Sequence, residues 1–301
     1  MIADFLCKNW VGKTIICIKW DKKSKFARHP IKGFSLIGLP CKVVRVFSRG
    51  KVIVIECIIN YTNSNTNTNN NKNNNKTIYM TSQMGMEGCW SKQSNAYTNL
   101  HVYLGDYNYE QKQYIISDMY YFNDVRNFGS FDVFEDLTQV WKKHGPCLLT
   151  TALIEQGLLN VDTLSVHQVI TNREEWIKGT QNKRIKTKHI CVYLGEQKWA
   201  SGVGNYLKAE CLYRAKICPF RTLESLTNEE LNLLYQKIML QMVLSYQHKG
   251  LTIKSYWDPS GNKGVCPLQV YNQKVDPFGN EVVKEKSKDK RTMHWCPSIQ
   301  K

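Results

Sequence analysis

Six short segments in the first half of the chain are rich in Val, Ile and Tyr: KTIICIKW, PCKVVRVF, KVIVIECI, KTIYMTS, LHVYLG and YIISDMYYF. Clusters of Gly, Pro and Asn separate them, which is the pattern of strands between turns. It predicts a β-domain over 1–135. NYTNSNTNTNNNKNNNK, Asn60 to Lys76, interrupts this domain. So polar a tract has no apolar surface to bury against the cost of ordering it, so 60–76 is expected to be a disordered insert at a hairpin tip with no chemical role. From Trp141 the period changes. CLLTTALIEQGLL, LSVHQVITNREEWI, TKHICVYLGEQ, NYLKAECLYRAKI and NEELNLLYQKIMLQMVLSYQHKG carry apolar residues three and four apart, predicting a helical domain over 141–250. After Gly250, the pieces KGVCPLQVYNQ, NEVVKEK and RTMHWCP are strand-like again and predict a terminal β-hairpin within 251–301. The fold class is α+β.

Charge narrows the partners. The 301 residues include 41 Lys+Arg against 25 Asp+Glu, a net charge of +16, so the expected partner is a polyanion, nucleic acid first. A membrane surface is the alternative, but the chain has no apolar run of 18 residues, no secretory start and no isolated basic amphipathic helix. A soluble, intracellular protein is expected, in the nucleus or another compartment that holds DNA. The eleven cysteines are scattered without any CxxC spacing and read as buried thiols in a reducing compartment.

The stretch WASGVGNYLKAECLYRAKI places Gly202 and Gly204 just before a helical pattern. Both glycines are expected to allow positive φ in a tight turn, with Asn205 as the N-cap of the following helix. The open amides and the positive dipole end of that helix make an anion site, and in so basic a chain the anion would be a DNA phosphate. A plain connecting turn is the alternative, since GVGN is short and the full dinucleotide fingerprint is missing.

QKWASGVGNYLKAECLYRAKICPFR resembles the helix-two-turn-helix of the formamidopyrimidine-DNA glycosylase / endonuclease VIII family. Other segments follow in the family's order: FSRGKVIVIEC is similar to its RGK strand, MTSQMGMEGCW to its intercalation loop, FNDVRNFGSF to its DPRRFG-like segment and WKKHGPCLL to its domain junction. YWDPSGNKG and VYNQKVDPFGNEVVKEK…KRTMHWCPSIQK resemble the terminal finger, most closely in the endonuclease VIII-like branch. The resemblance covers nearly the whole chain. It implies an N-terminal two-layer β-sandwich, a helix-two-turn-helix domain and a finger hairpin. It also implies base-excision repair: a DNA glycosylase with AP lyase activity that removes oxidised bases, pyrimidines by branch, from duplex or single-stranded damaged DNA, acting as a monomer without a cofactor.

By the same resemblance Lys51, Asn205 and Arg291 grip the phosphates around a flipped nucleotide, which suits a point charge, a helix start and a forked donor. Met86, Arg126 and Phe128 match residues that fill the space the nucleotide leaves. A solvated strand end for Lys51, a surface hairpin charge for Arg291 and a core position for Phe128 are the plainer alternatives. Asn127 stands where the family pattern has a second arginine.

Two departures stand out. The finger's zinc-ligand positions fall on Asp276, Asn280, Cys296 and Ile299, a set with one thiolate and an isoleucine that cannot close a tetrahedral zinc site. A metal-free finger is expected, with Val282, Trp295 and Ile299 packing in place of the ion; the alternative recruits Cys266 and His294 to a new site. The family's nucleophile is the amine of a PEGPE-type terminus with a neighbouring Glu as proton shuttle. This chain carries neither: its first residues match the later part of the family's first helix, about nine residues on by count. No catalytic residue is therefore assigned, Lys51 being a candidate assistant. Two readings stay open: an enzyme whose reading frame starts upstream, or a catalytically inactive protein that binds damaged DNA.

Overall fold

The computed structural model describes residues 1–61, 74–85, 87–160, 162, 164, 171–250 and 264–301. They fall into two compact units, with the division between Thr138 and Gln139.

In the first unit α1 (Ile2–Trp10) precedes β1 (Thr14–Lys19) and the short α2 (Lys25–Arg28). Then follow β2 (Cys41–Arg49), β3 (Val52–Tyr61), β4 (Asn74–Gln83), β5 (Gly88–Ser91), β6 (Thr98–Asn108), β7 (Gln113–Asp124) and β8 (Ser130–Phe134). The six expected strands are present. β5 and β8 are additional, in segments whose glycines and charges read as loop. All eight join one hydrogen-bonded sheet in the order β5-β7-β6-β1-β2-β3-β4-β8. Although β5 and β8 end that order, Trp90 of β5 donates its indole N–H to Ser82 Oγ of β4 (3.1 Å) and sets its ring 6.0 Å from Phe131 of β8. The sheet therefore folds over on itself, and the pairing of β1 with β6 shifts register between Ile15 and Cys17. The two layers enclose Leu6, Trp10, Ile55, Met80, Trp90, Tyr120 and Phe131. The sandwich that the resemblance implies is thus present as a single folded sheet.

Part of the Asn-rich tract is ordered by the ladder: Ile59 pairs with Lys76, Asn60 with Asn75 and Tyr61 with Asn74. Backbone pairing needs no apolar side chain, so the hairpin runs into both ends of the tract. Residues 62–73 lie outside the described residues.

The second unit holds α4 (Leu148–Glu155), α5 (Arg173–Thr180), α6 (Ile190–Gly195), α7 (Asn205–Arg214) and α8 (Asn228–Gln247), after α3 (Thr138–Trp141) at the division. Capping boxes start α5 and α8: Asn172 with Glu175, and Thr227 with Glu230, satisfy each other's backbone donors, as N-x-x-E and T-x-x-E foretell. α8 buries Leu231, Leu234, Tyr235, Ile238 and Met242, one stripe at helical spacing. The terminal hairpin, β9 (Val283–Lys286) and β10 (Thr292–Trp295), shares this core through Val282, Met293 and Cys296.

One expectation fails in this unit. KGVCPLQVYNQ forms no strand among its described residues. The backbone amides of Gln269, Val270 and Tyr271 donate instead to the carboxylate of Glu210 on α7, each at 2.9 Å. A buried carboxylate that satisfies three consecutive amides leaves no donors there for a ladder.

Candidate nucleic-acid interface

In the first unit, β-sheet register gathers three loops at one end. Arg49 pairs with Val52 across the tight turn at Gly50 and Lys51; Val52 pairs with Gln83; Gln83 pairs with Ser130. The Lys51 turn, the loop after Gln83 and the loop before Ser130 are therefore neighbours. Lys51 is exposed at its turn, and Gly50 takes φ 59°. Met86 lies outside the described residues.

The segment from Asp124 to Gly129 carries Arg126 and Phe128. Phe128 is 66% exposed, so it is not a core residue. Arg126 pairs through Nη2 with Glu87 Oε1 at 3.0 Å, linking this segment to the loop after Gln83. Asn127 has φ 57°, a left-handed conformation that Asn tolerates far better than Arg, and its Oδ1 accepts from Asn99 Nδ2 at 2.9 Å. At the position of the family's second arginine, then, this chain shapes a turn.

Beneath the loop lies a buried ion pair. Lys25 Nζ donates to Asp124 Oδ2 and to Gly129 O, both at 2.6 Å, and the same Asp124 oxygen accepts from Gly129 N at 2.7 Å. Each end of DVRNFG is thereby fixed, and Arg126 and Phe128 project from a braced arch. A Cβ at Gly129 would come within 2.6 Å of the Phe122 ring and 2.7 Å of Gln83 O, so the arch closes only on glycine.

In the second unit, the opening of α7 differs from expectation in two ways. Gly204, with φ −102° and ψ 175°, is the N-cap, and Asn205 is the first helical residue. Only Gly202 takes positive φ, at 99°. The turn is braced by Gln197, whose Oε1 accepts from Gly202 N (2.9 Å) and whose Nε2 donates to Val203 O (2.8 Å). A glycine cap brings no side-chain oxygen of its own to the first amides of α7.

Asn205 itself reaches the terminal hairpin. Its Nδ2 donates to Thr292 O of β10 at 2.8 Å, tying the helix start to the residue after Arg291. The fold thus brings Asn205 and Arg291 together from positions far apart in the chain. Arg291 is half exposed at the end of the hairpin turn, where Asp289 and Ser287 organise the backbone: Asp289 Oδ1 accepts from the Ser287 hydroxyl and from Arg291 N (3.3 Å). Lys208, fully buried on α7, reaches Asp289 Oδ2 at 3.7 Å; burial pushes its amine below the usual lysine range, with Asp289 opposing. Burial raises Asp289 too, but the Ser287 hydroxyl, Lys208 and the Arg291 backbone and side chain outweigh it and hold the carboxyl below the ordinary range.

At the finger's ligand positions, Asp276 is a hydrogen-bond hub. Its Oδ1 accepts from Phe278 N (2.9 Å) and Asn280 N (2.8 Å), its Oδ2 from Asn280 Nδ2 and the Tyr213 hydroxyl (both 2.9 Å). Val282 is buried and Ile299 half-buried against the core of the unit, while Trp295 packs edge-on against Phe220 with centroids 5.6 Å apart. Cys296 Sγ lies 3.1 Å from Ser298 Oγ; Cys266 accepts from Gln241 Nε2 at 3.5 Å, and His294 packs on Tyr271. Sequence reasoning missed Lys25, Asp124, Gln197, Lys208 and Asp289. Only Lys208 left a signal, a cation inside the otherwise buried run LKAECLY.

A family model described as the formamidopyrimidine-DNA glycosylase H2TH domain matches residues 170–256, and the C-terminal domain of the same glycosylase matches 267–301. The formamidopyrimidine-DNA glycosylase of Exiguobacterium sp. is 30% identical over 185 residues, 60% of this chain, which spans 61% of that relative's length. That of Cytobacillus firmus is 28% identical over 96% of this chain and 93% of its own. The crystal structure of MutM (Fpg) from Thermus thermophilus superposes with a TM-score of 0.72 at 19% identity, covering 99% of this chain and 96% of that one. Lactococcus lactis Fpg, solved with an oxidized-pyrimidine-containing DNA, gives 0.69 at 20% identity, with 100% and 97% covered. At these identities the structures speak to the fold.

Proposed function

The chain belongs to the formamidopyrimidine-DNA glycosylase / endonuclease VIII family, and from that premise we propose that it is a base-excision DNA glycosylase with AP lyase activity acting on oxidised bases. The observation that carries the reading is the meeting of the glycine-capped start of α7, Asn205 and Arg291 in one place, held by the bond from Asn205 to Thr292. A glycine-capped helix start beside a forked guanidinium suits backbone phosphate better than any neutral ligand.

Arg291 and the first amides of α7 bind phosphate; Asn205 holds the two segments in register. Lys51, at its turn in the first unit, supplies a third phosphate donor and carries an amine, the group that elimination chemistry at the sugar uses. Phe128 and Arg126 fill the gap in the stack, and their braced arch keeps the wedge from collapsing onto the protein. Branch resemblance favours oxidised pyrimidines, and the reaction places the protein in a compartment that holds DNA. No helix among the described residues is long and apolar enough to cross a membrane.

The test compares labelled duplexes carrying thymine glycol, 8-oxoguanine or no lesion. Excision with strand cleavage, fastest at thymine glycol, is expected. Tight, lesion-selective binding without excision would replace the enzyme by a damaged-DNA-binding protein, and equal binding to intact and damaged duplexes would reject both.

A further inference from the structure

We propose that Lys208 is a positioning residue for the phosphate site: it neutralises Asp289 from inside the protein and so leaves the fork of Arg291 to face DNA. The inference rests on the reading of Asn205 and Arg291 as a phosphate site. Lys208, Asp289 and Arg291 converge over Gly195, where an added Cβ would lie 3.2 Å from Lys208 Nζ, 3.4 Å from Asp289 Oδ2 and 3.7 Å from Arg291 Nη1. The three form a graded series. The side chain of Lys208 is 0% exposed, that of Asp289 23% and that of Arg291 52%.

Asp289 cannot be dispensed with, because its Oδ1 holds the turn that carries Arg291. Its Oδ2, however, sits beside the very guanidinium that must stay available, 3.8 Å from Arg291 Nε. Arginine and carboxylate readily close into a two-pronged pair, which would occupy the prongs a phosphate needs. In this structure the shortest approach to the carboxylate is from Nε, and among the described residues neither Nη of Arg291 is hydrogen-bonded to the protein. The second cation explains this: Lys208 Nζ, fully buried and 3.7 Å from the same Oδ2, makes no hydrogen bond to any described group and serves Asp289 by charge alone. Burying a lysine for no other partner is expensive, and a methionine of similar length would pack there at less cost. Stability therefore gives no reason for the residue, whereas the orientation of Arg291 does.

The test uses the full chain as wild type and as Lys208→Met, Lys208→Arg, Asp289→Asn and Lys208→Met/Asp289→Asn, each checked for native circular dichroism. Binding to a duplex with a tetrahydrofuran abasic site is titrated by anisotropy at several salt concentrations. Lys208→Met should lose about tenfold in affinity, and its plot of log K against log salt should flatten by about 0.9, the signature of one phosphate contact given up. Lys208→Arg should keep the wild-type slope. The double variant should return to within about twofold of Asp289→Asn, because without the carboxylate nothing draws Arg291 inward. A merely structural lysine would leave the double variant as weak as Lys208→Met. A second readout needs no DNA: phenylglyoxal should modify Arg291 several-fold more slowly in Lys208→Met, with the rate recovered in the double variant. If wild type fails to bind DNA while the phenylglyoxal pattern holds, the glycosylase reading falls and the control of Arg291 by Lys208 stands. A folded Lys208→Met with wild-type slope and wild-type Arg291 reactivity, or a double variant without rescue, overturns the inference.

Discussion

Phe128 shows how a residue's role turns on exposure. An apolar ring that is 66% exposed contributes little to stability, since large-to-small changes are costly only where packing is lost. Phe128→Ala should therefore leave unfolding free energy within about 0.5 kcal/mol of wild type, while weakening lesion binding about tenfold if the ring fills the vacated stack. Denaturant melts and anisotropy titrations on the same preparation separate the two; a loss of several kcal/mol would return Phe128 to the core. Phe128, Arg126, Asn205 and Arg291 were legible as candidates in the sequence because motifs preserve residue type and order. Their supports were not. Lys25 and Asp124 lie far apart in the chain and meet only because α2 packs beside the end of β7, so no local pattern could pair them.

The terminal hairpin shows the same division at the scale of an element. Its strands were readable from β-branched and aromatic alternation, and the ligand count alone argued against zinc. What holds the turn came from the tertiary structure: Asp276 accepts four hydrogen bonds, one of them from Tyr213 on α7. Desolvation raises the Asp276 carboxyl, but bonds from Asn280, Tyr213 and Phe278 outweigh it and bring it below its ordinary 3.8. A depressed native pKa adds stability above the unfolded value and loses it as pH falls through the native one. The melting-temperature gap between wild type and Asp276→Ala should be widest near neutrality and close below about pH 3.8. A gap that persists unchanged at pH 2 would assign the effect to packing. Burial and Asp276 raise the Tyr213 hydroxyl to about 12, so its share of stability is present below the ordinary 10.0 and fades as pH climbs through that higher value. Chelator should leave the melt unmoved, and elemental analysis should find no stoichiometric zinc; one tightly held zinc per chain would show the finger positions to be misassigned.

Across the whole molecule, the net charge of +16 bears on the proposed encounter with DNA more than on the fold. Each phosphate neutralised releases counterions, so a chain with several such contacts should lose about two decades or more of affinity between 50 and 200 mM salt. Titrations at four salt concentrations give the slope, and a flat response would remove the nucleic-acid reading. The candidate wedge residues and Lys51 lie in the sheet unit, the start of α7 and Arg291 in the helical one.

The amino-acid sequence by itself determined most of the kinds of element, the basic character and which residues are candidates to meet DNA. These depend on side-chain period, charge and motif order, all properties of neighbours along the chain. The tertiary structure alone decided that KGVCPLQVYNQ is held by Glu210 rather than paired as a strand, that Gly204 and not Asn205 caps α7, and that β5 and β8 complete the sheet. Each of these outcomes is a competition for backbone hydrogen bonds, and the winning partner comes from elsewhere in the chain or from the geometry of the turn. The freedom of Arg291 has the same origin, because the charge that secures it is buried on another element, where only folding could bring it.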